Sequence, residues 1–255
     1  MAVTPPPFAC SELLSAPHGF FGRQGGVSQG TLASLNGSFA SGDDHDAVQE
    51  NRRRVSAALG AADILTAKQI HSDIAVFVSE PFTFENRPEA DALVTDVPGL
   101  ALGALAADCT PILLEADGLV AALHAGWRGS LAGVIESAVR LMAAHGAARK
   151  RIKAAIGPCL RRESFEVRED LITAVTAKHP DAACHFTDIG SGQSLYDHTS
   201  FVIDRLKDAG LAAHHISDVG GDTLTQNDRY FSYRDANRQG FQRFGRNLSV
   251  IVTPA

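Results

Sequence analysis

Five short apolar or branched runs follow one another within about fifty residues, at 74–78, 92–95, 100–105, 112–114 and 119–123. Val-Pro-Gly at 97–99 and Ala-Asp-Gly at 116–118 interrupt them, and such residues suit tight reversals. Runs of this length bounded by turn signals read as strands, and continuous apolarity without alternation reads as burial on both faces. The chain must therefore fold around a covered sheet.

Helical periodicity frames that block. Residues 46–59 carry Val48, Val55 and Leu59 among polar neighbours, with Asp43 and Asp44 ahead and Gly60 behind, which predicts a surface helix. From Ser130 the stripe Leu131, Val134, Ile135, Ala138, Leu141 and Met142 predicts one helix ending at Gly146. Further helices are expected at 169–178 and 200–208, and further strands at 152–156 and 248–252. Several strands in a row before the first long helix favour a mixed α/β (α+β) architecture over regular βαβ winding. No repeat, low-complexity linker or composition break divides the chain, so one compact domain with mixed sheets flanked by helices is expected over 18–255, after a loose lead-in at 1–17.

Charge and composition exclude several classes. Lys and Arg number 23 against 29 Asp and Glu, a net charge of −6 with no basic block longer than Arg52-Arg53-Arg54 or Arg149-Lys150-Arg151, which argues against a nucleic-acid partner. The N-terminus lacks a basic n-region and a long apolar run, so a cytoplasmic address is expected. The most apolar stretch, 97–114, is broken by Pro98, Gly99, Asp108, Cys109 and Pro111, and reads as strands rather than a membrane span. Four cysteines, at 10, 109, 159 and 184, are too sparse for a disulfide framework, leaving each as a thiol, a ligand or a nucleophile.

Chemistry-bearing residues gather at strand ends: Lys68-Gln69-Ile70-His71-Ser72-Asp73, Ala107-Asp108-Cys109-Thr110-Pro111 and His124-Ala125-Gly126-Trp127-Arg128-Gly129. Strand ends face crevices where ligands bind. Two imidazoles and a thiolate leave one position of tetrahedral zinc open, as in catalytic zinc sites. Spacing alone does not decide between such a site and structural residues, because no Cys-x-x-Cys or His-Glu-x-x-His pattern is present. The turn at Gly126–Gly129, beside Arg128 and ahead of a helix, suits an anion such as phosphate, or simply a strand-to-helix turn with Trp127 as core packing. Arg23, ahead of Gly25-Gly26, is a second candidate anion ligand. Tyr230-Phe231-Ser232-Tyr233-Arg234 offers aromatic faces for a planar base, although a core strand suits the pattern better. Cys159 follows the Gly157-Pro158 turn, Cys10 and Cys184 read as inert, and His214-His215 reads as an exposed turn.

HGFFGRQGGVS (18–28), SLNGSFASGDD (34–44), ENRRRV (50–55), KQIHSD (68–73), DALVTDVPGLALGALAADCTPILL (91–114), HAGWRG (124–129), AIGPCL (155–160), SFEV (164–167), FSYR (231–234) and GRNLSVI (245–251), taken in order, resemble the YfiH family. This family is also called laccase-domain, polyphenol oxidase or peptidoglycan editing factor PgeF, and it is similar to human FAMIN. The resemblance covers about residues 18–253. It implies a single mixed α/β domain, grouped by fold with a bacterial deamidating toxin. It also implies zinc on His71, Cys109 and His124, with copper an alternative for the same donors. The implied activity is phosphorolysis of adenosine, inosine, guanosine or S-methyl-5′-thioadenosine, together with deamination of adenosine. Purine nucleosides and phosphate would be the partners. Two departures stand out: Gly37-Ser38-Phe39 after SLN, and Asp222 where relatives often carry cysteine.

Zinc with three protein ligands supplies the activated water that deamination needs, whereas phosphorolysis needs a held phosphate. Catalytic roles are therefore expected for Asp108 and Arg128, and substrate contacts for Arg23, Gln69, Arg128 and Arg234, with the amides after Gly129 as further phosphate donors. Asp108 is expected either to orient a ligand imidazole or to carry a proton. Three other classes compete: a copper polyphenol oxidase, although no His-x-His pair occurs among the ten histidines; a cysteine hydrolase with Cys109 as nucleophile; and a non-catalytic metal-binding factor in peptidoglycan fidelity.

Overall fold

A computed structural model describes residues 4–254, and in it the central runs divide between two large sheets. The six-stranded sheet has the order Ile216–Asp218, Lys153–Ile156, Thr110–Ala116, Leu119–Ala125, Ala92–Thr95, Ala75–Phe77. The five-stranded sheet runs Phe8–Ala9, His18–Phe21, Asn247–Val252, Ala101–Ala106, Ile64–Thr66, and a third sheet of three strands joins Glu166–Arg168, Gln193–Tyr196 and Phe186–Gly190. Both large sheets are mixed, as the strand-rich block predicts.

The core explains the lack of polar alternation. Leu113, Val120 and Ala122 of the six-stranded sheet pack against Phe20, Leu102, Ala104 and Ile251 of the five-stranded one. Ile112, Leu114, Ala121 and Leu123 face the opposite way, onto helices Val134–Ala144 and His198–Asp208. Helix His45–Ala58 covers the outer face of the five-stranded sheet through Val55 against Phe21, Ile64, Leu248 and Val250. The result is a four-layer α/β/β/α stack, with each central strand buried on both faces. Fully burying one such leucine contributes about 1.5–3 kcal/mol. Among the described residues no helix is long and apolar enough to cross a membrane.

Because both faces are apolar, hydrophobic pattern alone does not fix the register of the 110–116/119–125 hairpin. The turn does. Asp117 and Gly118 adopt φ of +51° and +87°, the type I′ geometry that an Asp-Gly pair favours in two-residue hairpins. That register places Thr110 opposite Ala125 and Pro111 opposite His124 at the far end. An Asp-Gly turn thus sets which residues meet Cys109.

Three expectations are corrected. The single helix at 130–146 is two, Trp127–Ala132 and Val134–Ala144, because Gly133 takes φ +116° and caps both. The aromatic run at 230–234 is not a strand. Ser232 accepts from the Asp235 amide and starts helix Tyr233–Arg238, leaving Tyr230 and Phe231 buried. The lead-in is not loose over its described part, since Phe8–Ala9 pairs with His18–Phe21 and Leu14 and Ala16 are core residues. Glu115 accepts from the amides of Ser15 and Ala16 at 2.7 and 2.8 Å, tying the segment to the central hairpin.

Candidate metal centre

His71, Cys109 and His124 converge, with one donor atom from each lying within 4.8 Å of the others. Cys109 precedes one hairpin strand and His124 lies near the end of the other, so the register delivers both. His71 comes from the loop before strand Ala75–Phe77, and its Nε2 lies 3.9 Å from Cys109 Sγ. The imidazoles of His71 and His124 meet nearly edge to face, with centroids 4.8 Å apart at 82°. His71 and Asp108 are non-glycine residues at positive φ, +59° and +90°. Such conformations persist only where surrounding contacts hold them, and they cluster at functional sites.

The electrostatics hold Cys109 as a thiolate, the form in which sulfur binds a metal. Burial pushes the Cys109 thiol up, yet the neighbouring His124 charge and hydrogen bonds from His124 and His71 outweigh it and hold the thiol near about 6. Burial likewise pushes His124 down, but the Cys109 thiolate and Asp91 raise it to about 9. Asp91 is inaccessible, and burial raises its carboxyl. Hydrogen bonds from His124 and Ser72 more than offset this and bring it to about 2. His124 Nδ1 lies 2.8 Å from Asp91 Oδ1, which fixes the ring with Nε2 turned to the cluster.

Shape supports the same fit. A Cβ on Gly126 would lie 2.9 Å from Cys109 Sγ and 3.0 Å from His71 Cδ2, so only glycine leaves the ligands free to converge. Tetrahedral zinc, at ~2.0–2.3 Å from N and S donors, separates them by about 3.3–3.6 Å. The 3.9 Å between His71 Nε2 and Cys109 Sγ needs a small contraction and the widest donor pair, within 4.8 Å, a larger one that rotation of the exposed His71 ring can supply.

His71, Cys109 and Asp108 open onto a cavity of about 530 Å³, also lined by Trp127, Arg128, Phe165, His198, Tyr233, Arg234, Asn237 and Arg238. Arg128 is exposed, with its guanidinium 4.3 Å from the centroid of Trp127. Arg234 lies over Phe165 but donates to the carbonyls of Ser164 and Glu166, so it is partly committed to structure. Burial raises the Asp108 carboxyl, which accepts from Thr223 Oγ1 and the Arg234 amide, each at 2.7 Å. It bonds neither imidazole. The orienting carboxylate is Asp91, which the sequence reading did not single out, and this corrects one of the two roles expected of Asp108.

Arg23 is not brought to the site. Its guanidinium donates to Ala33 O and Asn227 O and lines a different cavity beside Phe231 and Asp235. Both ends of the Gln69 amide bond the Leu105 backbone, at 2.7 and 2.8 Å, anchoring the His71 loop to strand Ala101–Ala106. The amides after Gly129 are not available as expected, because the helix starts at Trp127 and Ser130 N already donates to Gly126 O. Asp222 accepts from Ser164 Oγ and the Leu224 amide. Cys159 is fully buried beside Thr199, and His215 bonds Lys150 O on a short helical turn. A second cavity, of about 220 Å³, reaches His71 and His124 from the side of Arg52, Lys68, Arg87 and Arg246. Arg246, in GRNLSVI, lines this second cavity although its local sequence carries no site signal.

A family profile described as multi-copper polyphenol oxidoreductase laccase matches residues 17–254. A Streptomyces coelicolor protein named purine nucleoside phosphorylase is 38% identical over 224 residues, covering 86% of this chain and 90% of its own. Escherichia coli YfiH, also named purine nucleoside phosphorylase, is 35% identical over 218 residues, covering 83% and 85%. Among solved structures, YlmD from Geobacillus stearothermophilus superposes with TM-score 0.88 at 27% identity, covering 96% of this chain and 94% of that one. A Neisseria meningitidis protein of the DUF152 family gives 0.85 at 32% identity, covering 96% and 98%. Profile, relatives and superposed folds agree across nearly the whole chain, which belongs to the YfiH/PgeF family.

Proposed function

We propose that this chain is a metal-dependent purine nucleoside phosphorylase that also deaminates adenosine, acting on adenosine, inosine, guanosine or S-methyl-5′-thioadenosine. The observation that carries the reading is the His71–Cys109–His124 cluster opening onto a cavity that combines aromatic faces with arginines. The relatives named purine nucleoside phosphorylase support it. Zinc suits the two imidazoles and one thiolate, and copper competes for the same donors. When bound, such an ion supplies Lewis acidity to the reacting water or substrate.

The chain's own residues divide the remaining work. Trp127, Phe165 and Tyr233 line the cavity and supply the aromatic surface for a purine. Arg128, whose side chain has no hydrogen-bond partner among the described residues, holds phosphate as a charge-assisted donor. Phosphorolysis breaks the bond between ribose C1′ and the purine nitrogen, joins a phosphate oxygen to C1′, and needs a proton on the departing base. Asp108 lines the cavity, where burial favours its protonated form, and serves as the proton carrier. Incubating metal-loaded protein with adenosine or inosine tests the reading. Base and ribose-1-phosphate are expected only when phosphate is present, and inosine is expected from adenosine with or without it. Absence of base release under all conditions overturns the phosphorylase reading.

A cysteine hydrolase is the second reading, favoured by the low thiol of Cys109 beside His124. Alkylation separates the two. A metal-bound thiolate resists iodoacetamide until chelator is added, whereas a nucleophile reacts at once.

A further inference from the structure

We infer that Asp91 is the positioning residue that couples two of the three metal ligands, presenting His124 in the ligating tautomer with one carboxylate oxygen and shaping the His71 loop with the other. This rests on the metal reading of the cluster. Asp91 Oδ1 lies 2.8 Å from His124 Nδ1. Asp91 Oδ2 accepts from three groups that flank His71: Ile70 N at 3.2 Å, Ser72 N at 2.6 Å and Ser72 Oγ at 2.8 Å. Two backbone amides on either side of one residue, aimed at a single oxygen, hold His71 at its unusual φ of +59°.

The backbone makes the same link. The His124 amide donates to Asp91 O at 2.8 Å, and the Asp91 amide donates to Ile74 O at 3.0 Å. Asp91 therefore sits between the hairpin and the loop in both main chain and side chain. Its side chain is 0% exposed, so bulk water does not compete for these bonds.

The carboxylate is required because every one of its four partners presents a hydrogen to it. An ionised carboxylate accepts only, whereas an amide must turn one NH2 toward somebody. In Asp91→Asn, an NH2 placed toward His124 makes Nδ1 the acceptor and moves the ring proton to Nε2, which then cannot ligate. The opposite flip points the NH2 at the Ile70 and Ser72 donors and releases the His71 loop. Either orientation sacrifices one ligand, and outer partners of this kind typically govern metal affinity by about 10–100-fold.

The test compares zinc affinity by chelator competition in wild type, Asp91→Asn and Ser72→Ala, with imidazole nitrogen shifts read by 15N NMR and folding checked by circular dichroism. The expected result is one zinc per wild-type chain, with His124 protonated at Nδ1. Affinity should fall about 10–100-fold in Asp91→Asn, with either the His124 tautomer or the His71 resonances displaced. Ser72→Ala, which removes one of three bonds to Oδ2, should lose several-fold while the His124 tautomer persists. Should Asp91→Asn fail to fold, the Ser72→Ala result decides the matter, and unchanged affinity there overturns the coupling. A folded Asp91→Asn that binds zinc as tightly as wild type also overturns it. Wild type that binds no metal instead removes the metal reading on which the inference stands.

Discussion

Gly126→Ala is the most local perturbation of the site, because the added methyl would lie 2.9 Å from Cys109 Sγ and 3.0 Å from His71 Cδ2. Ordinary carbon contacts settle at about 3.5–4.0 Å, so thiol and imidazole must each retreat by roughly 0.5–1 Å. Metal binding asks for the opposite movement, a contraction from 3.9 Å. Backbone geometry does not oppose the change, since Gly126 has φ −69° and ψ 162°, which alanine adopts freely. Losing glycine's unfolded-state freedom contributes about 0.4–1 kcal/mol of stability, while overpacking costs about 1–3 kcal/mol. The metal-free variant should therefore be destabilised by no more than roughly 2.5 kcal/mol and remain folded. Zinc affinity should fall at least about tenfold, which removes about 1.4 kcal/mol of metal-linked stabilisation at fixed zinc. Chelator competition and thermal melts with and without zinc measure the two terms separately. Gly60→Ala, at φ +72° with open space around it, is the control that loses stability without touching the site. A folded Gly126→Ala with wild-type zinc affinity would refute the reasoning.

Two further outcomes follow from neighbouring groups. Burial holds His198 at about 4, against an ordinary value near 6.5, with Thr110 and Ser130 hydroxyls on its two nitrogens. The folded state refuses a proton that the unfolded chain accepts, so this contribution is intact above pH ~6.5 and is lost as pH falls toward ~4, by about 2 kcal/mol at pH 5. Urea melts should show a steeper acid loss for wild type than for His198→Gln, and parallel slopes would exclude His198 as the cause. Arg128→Ala should raise the phosphate KM by about tenfold with little change in the nucleoside KM. An unchanged phosphate dependence takes Arg128 out of that role.

What could be read from the sequence was whatever is written locally. The strand block, the Asp117-Gly118 turn and the three ligand-bearing strand ends each carry their signal within a few residues. Asp91 does not, since its partners lie at His124, Ile70 and Ser72, and only the folded sheet brings them together. Arg23 misled for the same reason: a glycine-rich neighbourhood suggests an anion site, but the carbonyls that occupy its guanidinium belong to Ala33 and Asn227. The lead-in is held by Glu115, about a hundred positions away, so its proline-rich composition conceals a docked segment. Two misses had local signals that were overruled. Gly133 interrupts an otherwise clean helical stripe, and Ser232 stands three residues before Asp235, a capping pattern that outweighs aromatic content.

The central claim is that His71, Cys109 and His124 hold a metal on which nucleoside turnover depends. Its most direct measurement is phosphate-dependent release of base from inosine by zinc-loaded wild type and by Cys109→Ala, purified in parallel, with metal content determined on the same samples. The account predicts about one zinc and turnover in wild type, and neither in the variant. Equal turnover by the two proteins, or turnover by wild type that survives complete removal of metal, would contradict it.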